Sequence, residues 1–193
     1  MRDICVYCSS SNHVHPRYGE IAERMGRLIA DNGFRLVYGG GSVGLMGRLA
    51  RAVHERNGHV YGVIPEALQM AEGVAYDLAD DLVVTRTMQE RKAIMYTRAD
   101  AFVALPGGFG TLEEFLEVLT LKQLGYHQKP LYLVNAFDFY QPLLTLFEHL
   151  YAERFARENH RTLYEVVREP EDVIERLAEA ERPVQGGLNP AGT

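Results

Sequence analysis

The sequence predicts an α/β fold, a Rossmann-like doubly wound parallel sheet of about 6–7 strands with helices on both faces. Three observations carry this. Apolar runs alternate with segments of helical period along the chain. Several of the runs are nearly continuous in Val, Leu, Ile and Tyr, the pattern of strands covered on both faces. The glycine clusters fall where such runs end, and ligands of open parallel sheets bind beyond the carboxyl ends of their strands.

Taken in order, residues 4–8 (ICVYC) form the first apolar run and 16–32 the first helical segment. Strand 34–38 feeds the glycine cluster Tyr38 to Gly47 (YGGGSVGLMG), which opens a helix over 43–57. Strands follow at 59–64 and 81–85. Thr87 is placed to cap a helix over 87–99. Strand 101–105 runs into Pro106, three glycines and Thr111, and then a helix over 111–125. Strand 130–135, helix 139–153, strand 163–167 and helix 170–180 complete the order. Residues 1–180 read as one nucleotide-binding α/β domain, and 181–193, rich in Gly and Pro, as a flexible C-terminal tail. No internal repeat is evident.

Composition narrows the function. The chain has 193 residues, 47% of them hydrophobic, enough for a sizeable core. A net charge of −6 argues against a sequence-independent grip on a nucleic acid polymer or an anionic membrane. No apolar run approaches the roughly 20 residues of a membrane span. Met1-Arg2-Asp3 leads directly into the first apolar run without a signal-peptide pattern, which predicts a cytoplasmic protein. Cys5 and Cys8 have C-x-x-C spacing, but redox pairs sit at helix N-termini. These two lie in or beside a strand, where residues three apart face opposite sides, so they read as reduced, buried thiols. The histidines show no H-E-x-x-H or similar ligand spacing, and no metal or cofactor is expected.

Two glycine loops are candidate sites. Gly39, Gly41 and Gly44 satisfy G-x-G-x-x-G, and Glu66 lies 22 residues past Gly44, where a ribose-binding acid of a dinucleotide enzyme belongs. Against that reading, the fingerprint follows the second strand rather than the first, and Pro65 precedes Glu66. The other loop, Pro106 to Thr111, lacks the Gly-Lys-Ser/Thr ending of a Walker A loop, but its glycines free backbone N–H groups at a helix start. Thr111 and Glu114 have the spacing of a capping box. Leu112, Phe115, Leu116 and Leu119 share one helical face, assigned to the sheet. Glu114 then lies about 160° away, projecting from the core at the rim of a cleft. Val118, Leu121 and Leu124 make that second side apolar too, which predicts a subunit interface.

A phosphate on this loop, with a carboxylate about 7 Å away, meets a repulsion of ~5 kcal/mol at an effective dielectric of 20. A helix N-terminus returns at most about 2 kcal/mol. Either Glu114 is protonated or a cation stands near it. Arg91 and Lys92, in TMQERKAIM, are the candidates, because their helix starts at the same edge of the sheet.

Pro106-Gly107-Gly108-x-Gly110-Thr111-x-x-Glu114, with Met88-x-x-Arg91-Lys92 and Gly39-Gly40-Gly41-x-x-Gly44-Leu45-Met46-Gly47 upstream, resembles the LOG ("Lonely guy") family of cytokinin riboside 5′-monophosphate phosphoribohydrolases. The resemblance spans about Ile4 to Val167. It implies a Rossmann-type homodimer that cleaves the N-glycosidic bond of a nucleoside 5′-monophosphate. It puts the essential pair on Arg91 and Glu114, and nucleotide contacts on Gly107, Gly108, Phe109, Gly110, Thr111, Glu113 and Lys92. Met88, Gly40, Gly41, Ser9, Glu72 and Thr120 complete the candidate set. Such proteins also carry the label lysine decarboxylase, but pyridoxal chemistry needs a Schiff-base lysine, and Lys92, Lys122 and Lys129 lack that setting. Two positions depart from the family pattern: Gln89 replaces a frequent histidine, and Ser9 a frequent glycine. The alternatives are a non-catalytic nucleotide or molybdenum-cofactor carrier, and an NAD(P)-dependent oxidoreductase using Gly39 to Gly44.

Overall fold

The computed structural model describes residues 2–72 and 79–179, without the side chains of 70–72. The tail expected over 181–193 lies outside them. The strands are β1 (Asp3–Tyr7), β2 (Arg35–Tyr38), β3 (His59–Pro65), β4 (Asp81–Thr85), β5 (Ala101–Ala104), β6 (Leu131–Val134) and β7 (Glu165–Val167). The helices are α1 (Pro16–Asp31), α2 (Gly44–His54), α3 (Glu66–Glu72), α4 (Met88–Arg98), α5 (Phe109–Gln123), α6 (Gln141–Ala152) and α7 (Pro170–Glu179). All seven strands pair in parallel, in the order β4-β3-β2-β1-β5-β6-β7.

Strand alternation divides the core into two layers. Ile4, Val6 and Cys8 face Ile21, Met25 and Ile29 of α1, Leu45, Leu49 and Val53 of α2, and Val173 and Leu177 of α7. Cys5 and Tyr7 face Met95 of α4, Phe115 and Val118 of α5, and Phe147 of α6. The C-x-x-C cysteines therefore sit on opposite faces as free, buried thiols, and burial pushes both well above the ordinary thiol range. The sheet order reverses between β1 and β5, and a crevice opens at their carboxyl ends. The segment after β1 and the glycine turn after β5 line it.

The start of α5 differs from the sequence expectation. Its N-cap is Gly108, with no side-chain cap, so Thr111 lies inside the first turn and Thr111–Glu114 is no capping box. The helix phase differs in part: Phe115 packs on the sheet as expected, with Leu112 and Leu119 partly buried against the core, but Glu114 and Val118, expected on the opposite side, are buried. Thr111, Glu114, Phe115 and Val118 are its buried residues, while Leu116 and Leu124 are exposed. α5 is apolar on both sides, so periodicity alone gave no unique phase. By contrast Thr87 caps α4 as expected, accepting from the Glu90 N–H at 3.1 Å. α3 and the 3-10 turns Ala136–Asp138 and Glu158–Leu163 had no counterpart in the sequence reading.

Candidate active site

A cleft of about 340 Å³ occupies the crevice. Ser9, Ser10 and Ser11 form one wall; Gly108, Gly110, Thr111, Glu113 and Glu114 form the opposite one. Tyr7, Met46, Ile64, Leu68, Met88 and Met95 supply apolar surface. Its size is at the lower end of the roughly 300–1,000 Å³ of small-molecule sites.

The polar centre is a buried pair. Arg91 Nη1 stands 3.0 Å from Glu114 Oε1, with the two side chains 8% and 9% exposed. The approach is too far off line for a hydrogen bond, and Glu114 Oε1 has no donor among the described residues. Arg91 is aimed from behind: its Nε donates to the Val63 carbonyl at 3.1 Å, and Nη1 lies 4.0 Å from Met88 Sδ. Gly39 makes room for the guanidinium, since a Cβ there would fall 1.9 Å from Nη2. Burial pushes the Glu114 carboxyl above its ordinary range; Arg91 pulls it down without cancelling that effect. Lys92 does not line the cleft; it is bonded to Glu113 and lies 3.2 Å from Glu117. Burial alone lowers the Lys92 pKa, yet those two carboxylates outweigh it and hold the ammonium above its usual value.

The two glycine loops are not equivalent anion sites. At the start of α2, Gly44 N–H donates to Asn12 Oδ1 at 2.8 Å, and Leu45 and Met46 N–H donate to the Ser9 carbonyl at 2.9 and 3.2 Å. The three amides that a dinucleotide pyrophosphate needs are already taken. Gly44 has φ +61°, and a Cβ would meet the Ser10 carbonyl carbon at 2.3 Å, so this loop is built to pack on the β1 segment. Glu66 begins α3 and is exposed. At the start of α5, by contrast, the N–H groups of Gly108, Phe109, Gly110 and Thr111 have no acceptor among the described residues. They point the positive end of the helix at the cleft.

Of the sequence-predicted residues, Ser9, Met88, Arg91, Gly108, Gly110, Thr111, Glu113 and Glu114 line the cleft together. Gly107 lies just behind, packed on Thr111. Gly40 and Gly41 are buried beside the cleft without lining it, and Gly39 is the loop glycine that does. Phe109 and Thr120 lie on the outer side of α5, with Leu112, Leu116 and Leu121. The side chain of Glu72 is outside the described residues. Gln89 is exposed and does not line the cleft, whereas Ser9 does, its Oγ accepting from Ser11 N–H at 3.1 Å. The apolar wall of Tyr7, Met46, Ile64, Leu68 and Met95 escaped the sequence reading, because nothing local separates such residues from core.

Fold and site together define a parallel α/β protein with its ligand cleft at the topological switch point, an open helix N-terminus on one side and a buried Arg–Glu pair beneath. A family model described as "Possible lysine decarboxylase" matches residues 46–177. A probable cytokinin riboside 5′-monophosphate phosphoribohydrolase of Oryza sativa subsp. japonica is 42% identical over 92% of this chain and 72% of its own. A cytokinin riboside 5′-monophosphate phosphoribohydrolase of Rhodococcoides fascians is 44% identical over 90% of this chain and 87% of its own. The chain belongs to the LOG family of cytokinin riboside 5′-monophosphate phosphoribohydrolases. Among solved structures, the molybdenum cofactor binding protein of Rippkaea orientalis superposes with a TM-score of 0.71 at 22% identity, over 93% of this chain and 98% of that one. This likeness is one of fold.

Proposed function

We propose that this protein hydrolyses the N-glycosidic bond of nucleoside 5′-monophosphates, cytokinin riboside 5′-monophosphates and AMP among them, to the free base and ribose 5-phosphate. The observation that carries the reading is the Glu114 carboxylate, buried in the cleft with Oε1 lacking a donor, one helical turn from a set of open amides. A buried acceptor without a partner calls for a ligand or water to supply one.

In this reading the 5′-phosphate sits on the N–H groups of Gly108 to Thr111. Glu114 faces the sugar. Breaking the bond from C1′ to the base nitrogen leaves positive charge on the ribose. Ground-state repulsion between phosphate and carboxylate gives way to attraction between carboxylate and ribose, so the interaction favours the transition state. Glu114 orients and deprotonates the attacking water, whose oxygen bonds to C1′ while the base nitrogen takes a proton. The Arg91 guanidinium beside Glu114 pulls its carboxyl down, which keeps enough of it ionised for this role.

A lysine decarboxylase does not fit the residues. None of the three lysines lines the cleft, and the Lys92 pKa is shifted opposite to what a Schiff-base lysine needs. The blocked amides of α2 speak against an NAD(P) oxidoreductase. The homodimer belongs to the same proposal. Phe109 is 92% exposed beside Leu112, Leu116, Thr120 and Leu121, an apolar face that a second copy would cover next to the cleft mouth.

The test is chromatographic: incubation with AMP and with an N6-prenylated AMP, followed by separation of nucleotide, nucleoside and base. Base release from either supports the reading. Tight binding of the intact nucleotide without product would favour a carrier.

A further inference from the structure

The open amides of α5 depend on the turn that precedes them, and that turn is held by a segment from the other side of β6. After β6 the chain passes through Phe137 and Asp138, both in the left-handed region at φ +55° and +57°. Two successive non-glycine residues there are uncommon, and such backbone persists only where its surroundings fix it. Asn135 fixes it. Its buried side chain accepts from the Tyr140 N–H at 2.7 Å, and its own N–H donates to the Val167 carbonyl at 2.7 Å. The strained turn delivers Tyr140, 2% exposed, beneath the glycine turn. The Tyr140 hydroxyl donates to the Leu105 carbonyl at 2.7 Å, and its own oxygen accepts from the Gly107 amide N–H. On its other side Leu105 N–H donates to the Tyr7 carbonyl at 2.9 Å. Leu105 is thus pinned from both sides, one residue before Pro106.

Tyr140 does not line the cleft and has no acid–base part there. We propose that Tyr140 is a positioning residue for phosphate selectivity: its hydroxyl holds the Leu105–Gly107 turn so that the amides of Gly108 to Thr111 converge on a 5′-phosphate. This rests on the function proposed above only in naming the anion; the turn geometry stands without it. Removing the hydroxyl while keeping the ring loosens the cradle and leaves Arg91 and Glu114 in place. The loss therefore falls on ligands that carry the phosphate and spares those that do not.

The experiment compares wild type with Tyr140→Phe. It measures ribose 5-phosphate binding by calorimetry, and kcat and KM for AMP and for adenosine, with circular dichroism and a melting curve as controls for folding. The expected result is tenfold or more weaker ribose 5-phosphate binding and a matching rise in KM for AMP, with kcat for AMP and kcat/KM for adenosine changed less than threefold. Asn135→Ala, which keeps the hydroxyl but frees its backbone, gives a smaller loss with the same selectivity, and it decides the matter if Tyr140→Phe does not fold. Equal losses for AMP and adenosine, or unchanged ribose 5-phosphate binding, overturn the proposal. If wild type binds ribose 5-phosphate but releases no base from AMP, the hydrolase reading fails, while the binding comparison still tests Tyr140. If wild type does not bind ribose 5-phosphate, both fail.

Discussion

Glu114→Gln separates electrostatic catalysis from every structural role of this side chain. Glutamine keeps the volume and the hydrogen-bonding shape but removes the charge. A full positive charge on the ribose about 4.5 Å from the carboxylate is worth about 4 kcal/mol at an effective dielectric of 20. That is roughly three orders of magnitude in rate, and a half-developed charge leaves roughly thirtyfold. We expect kcat on AMP to fall about a hundredfold, between these bounds. Stability moves less. Losing one member of a buried pair costs about 3–5 kcal/mol when the other charge is stranded. Here Arg91 keeps its bond to the Val63 carbonyl, and the desolvation of the carboxylate is relieved. The net loss is then under about 3 kcal/mol. Single-turnover base release, followed by chromatography at a temperature where the variant is folded, reads the effect. Turnover within threefold of wild type by a folded Glu114→Gln protein would refute the reasoning. A simple capping role for Glu114 is already removed by Gly108 at the N-cap.

Further outcomes follow from the same geometry. Gly39→Ala places a methyl group 1.9 Å from Arg91 Nη2, so the guanidinium must move; kcat on AMP should drop at least tenfold, while circular dichroism stays close to wild type. Because burial raises Glu114 above its ordinary 4.5, the acid limb of kcat/KM should lie above pH 4.5, and Arg91→Met should move it higher still, as the pH profile will show. The linked stability has a definite sign. The folded state holds this proton more tightly, so the contribution is complete below 4.5 and is lost as pH rises through the folded value. Subtracting the melting curves of Glu114→Gln from those of wild type across pH isolates it. Leu116→Glu, on the outer face of α5, tests the proposed homodimer: light scattering should give a dimer for wild type and a monomer for the variant.

Much of the fold was legible because parallel strands buried on both faces write themselves as continuous apolar runs, such as Ala101 to Leu105. Charge alone called for a protonated Glu114 or a nearby cation and offered Arg91 and Lys92; the family resemblance singled out Arg91, and the fold sets that guanidinium against Glu114. The phase of α5 was legible only in part, because a helix apolar on two sides offers two good stripes: Phe115 was assigned to the sheet, but only the fold selects Val118 over Leu116. The fate of the G-x-G-x-x-G loop was not legible. Its amides are taken by Ser9 and Asn12, residues more than thirty positions upstream, and no local pattern announces such a contact. The apolar wall from Tyr7 to Met95 stayed hidden for the same reason: those residues are ordinary core formers, and only the crevice between β1 and β5 makes them a lining.

The most direct measurement is hydrolysis of AMP in heavy-oxygen water, with all products identified by mass spectrometry. The account predicts adenine and ribose 5-phosphate in equal amounts, with the heavy oxygen bonded at C1 of the sugar. Adenosine with labelled inorganic phosphate, or nucleotide left intact after prolonged incubation, would contradict it.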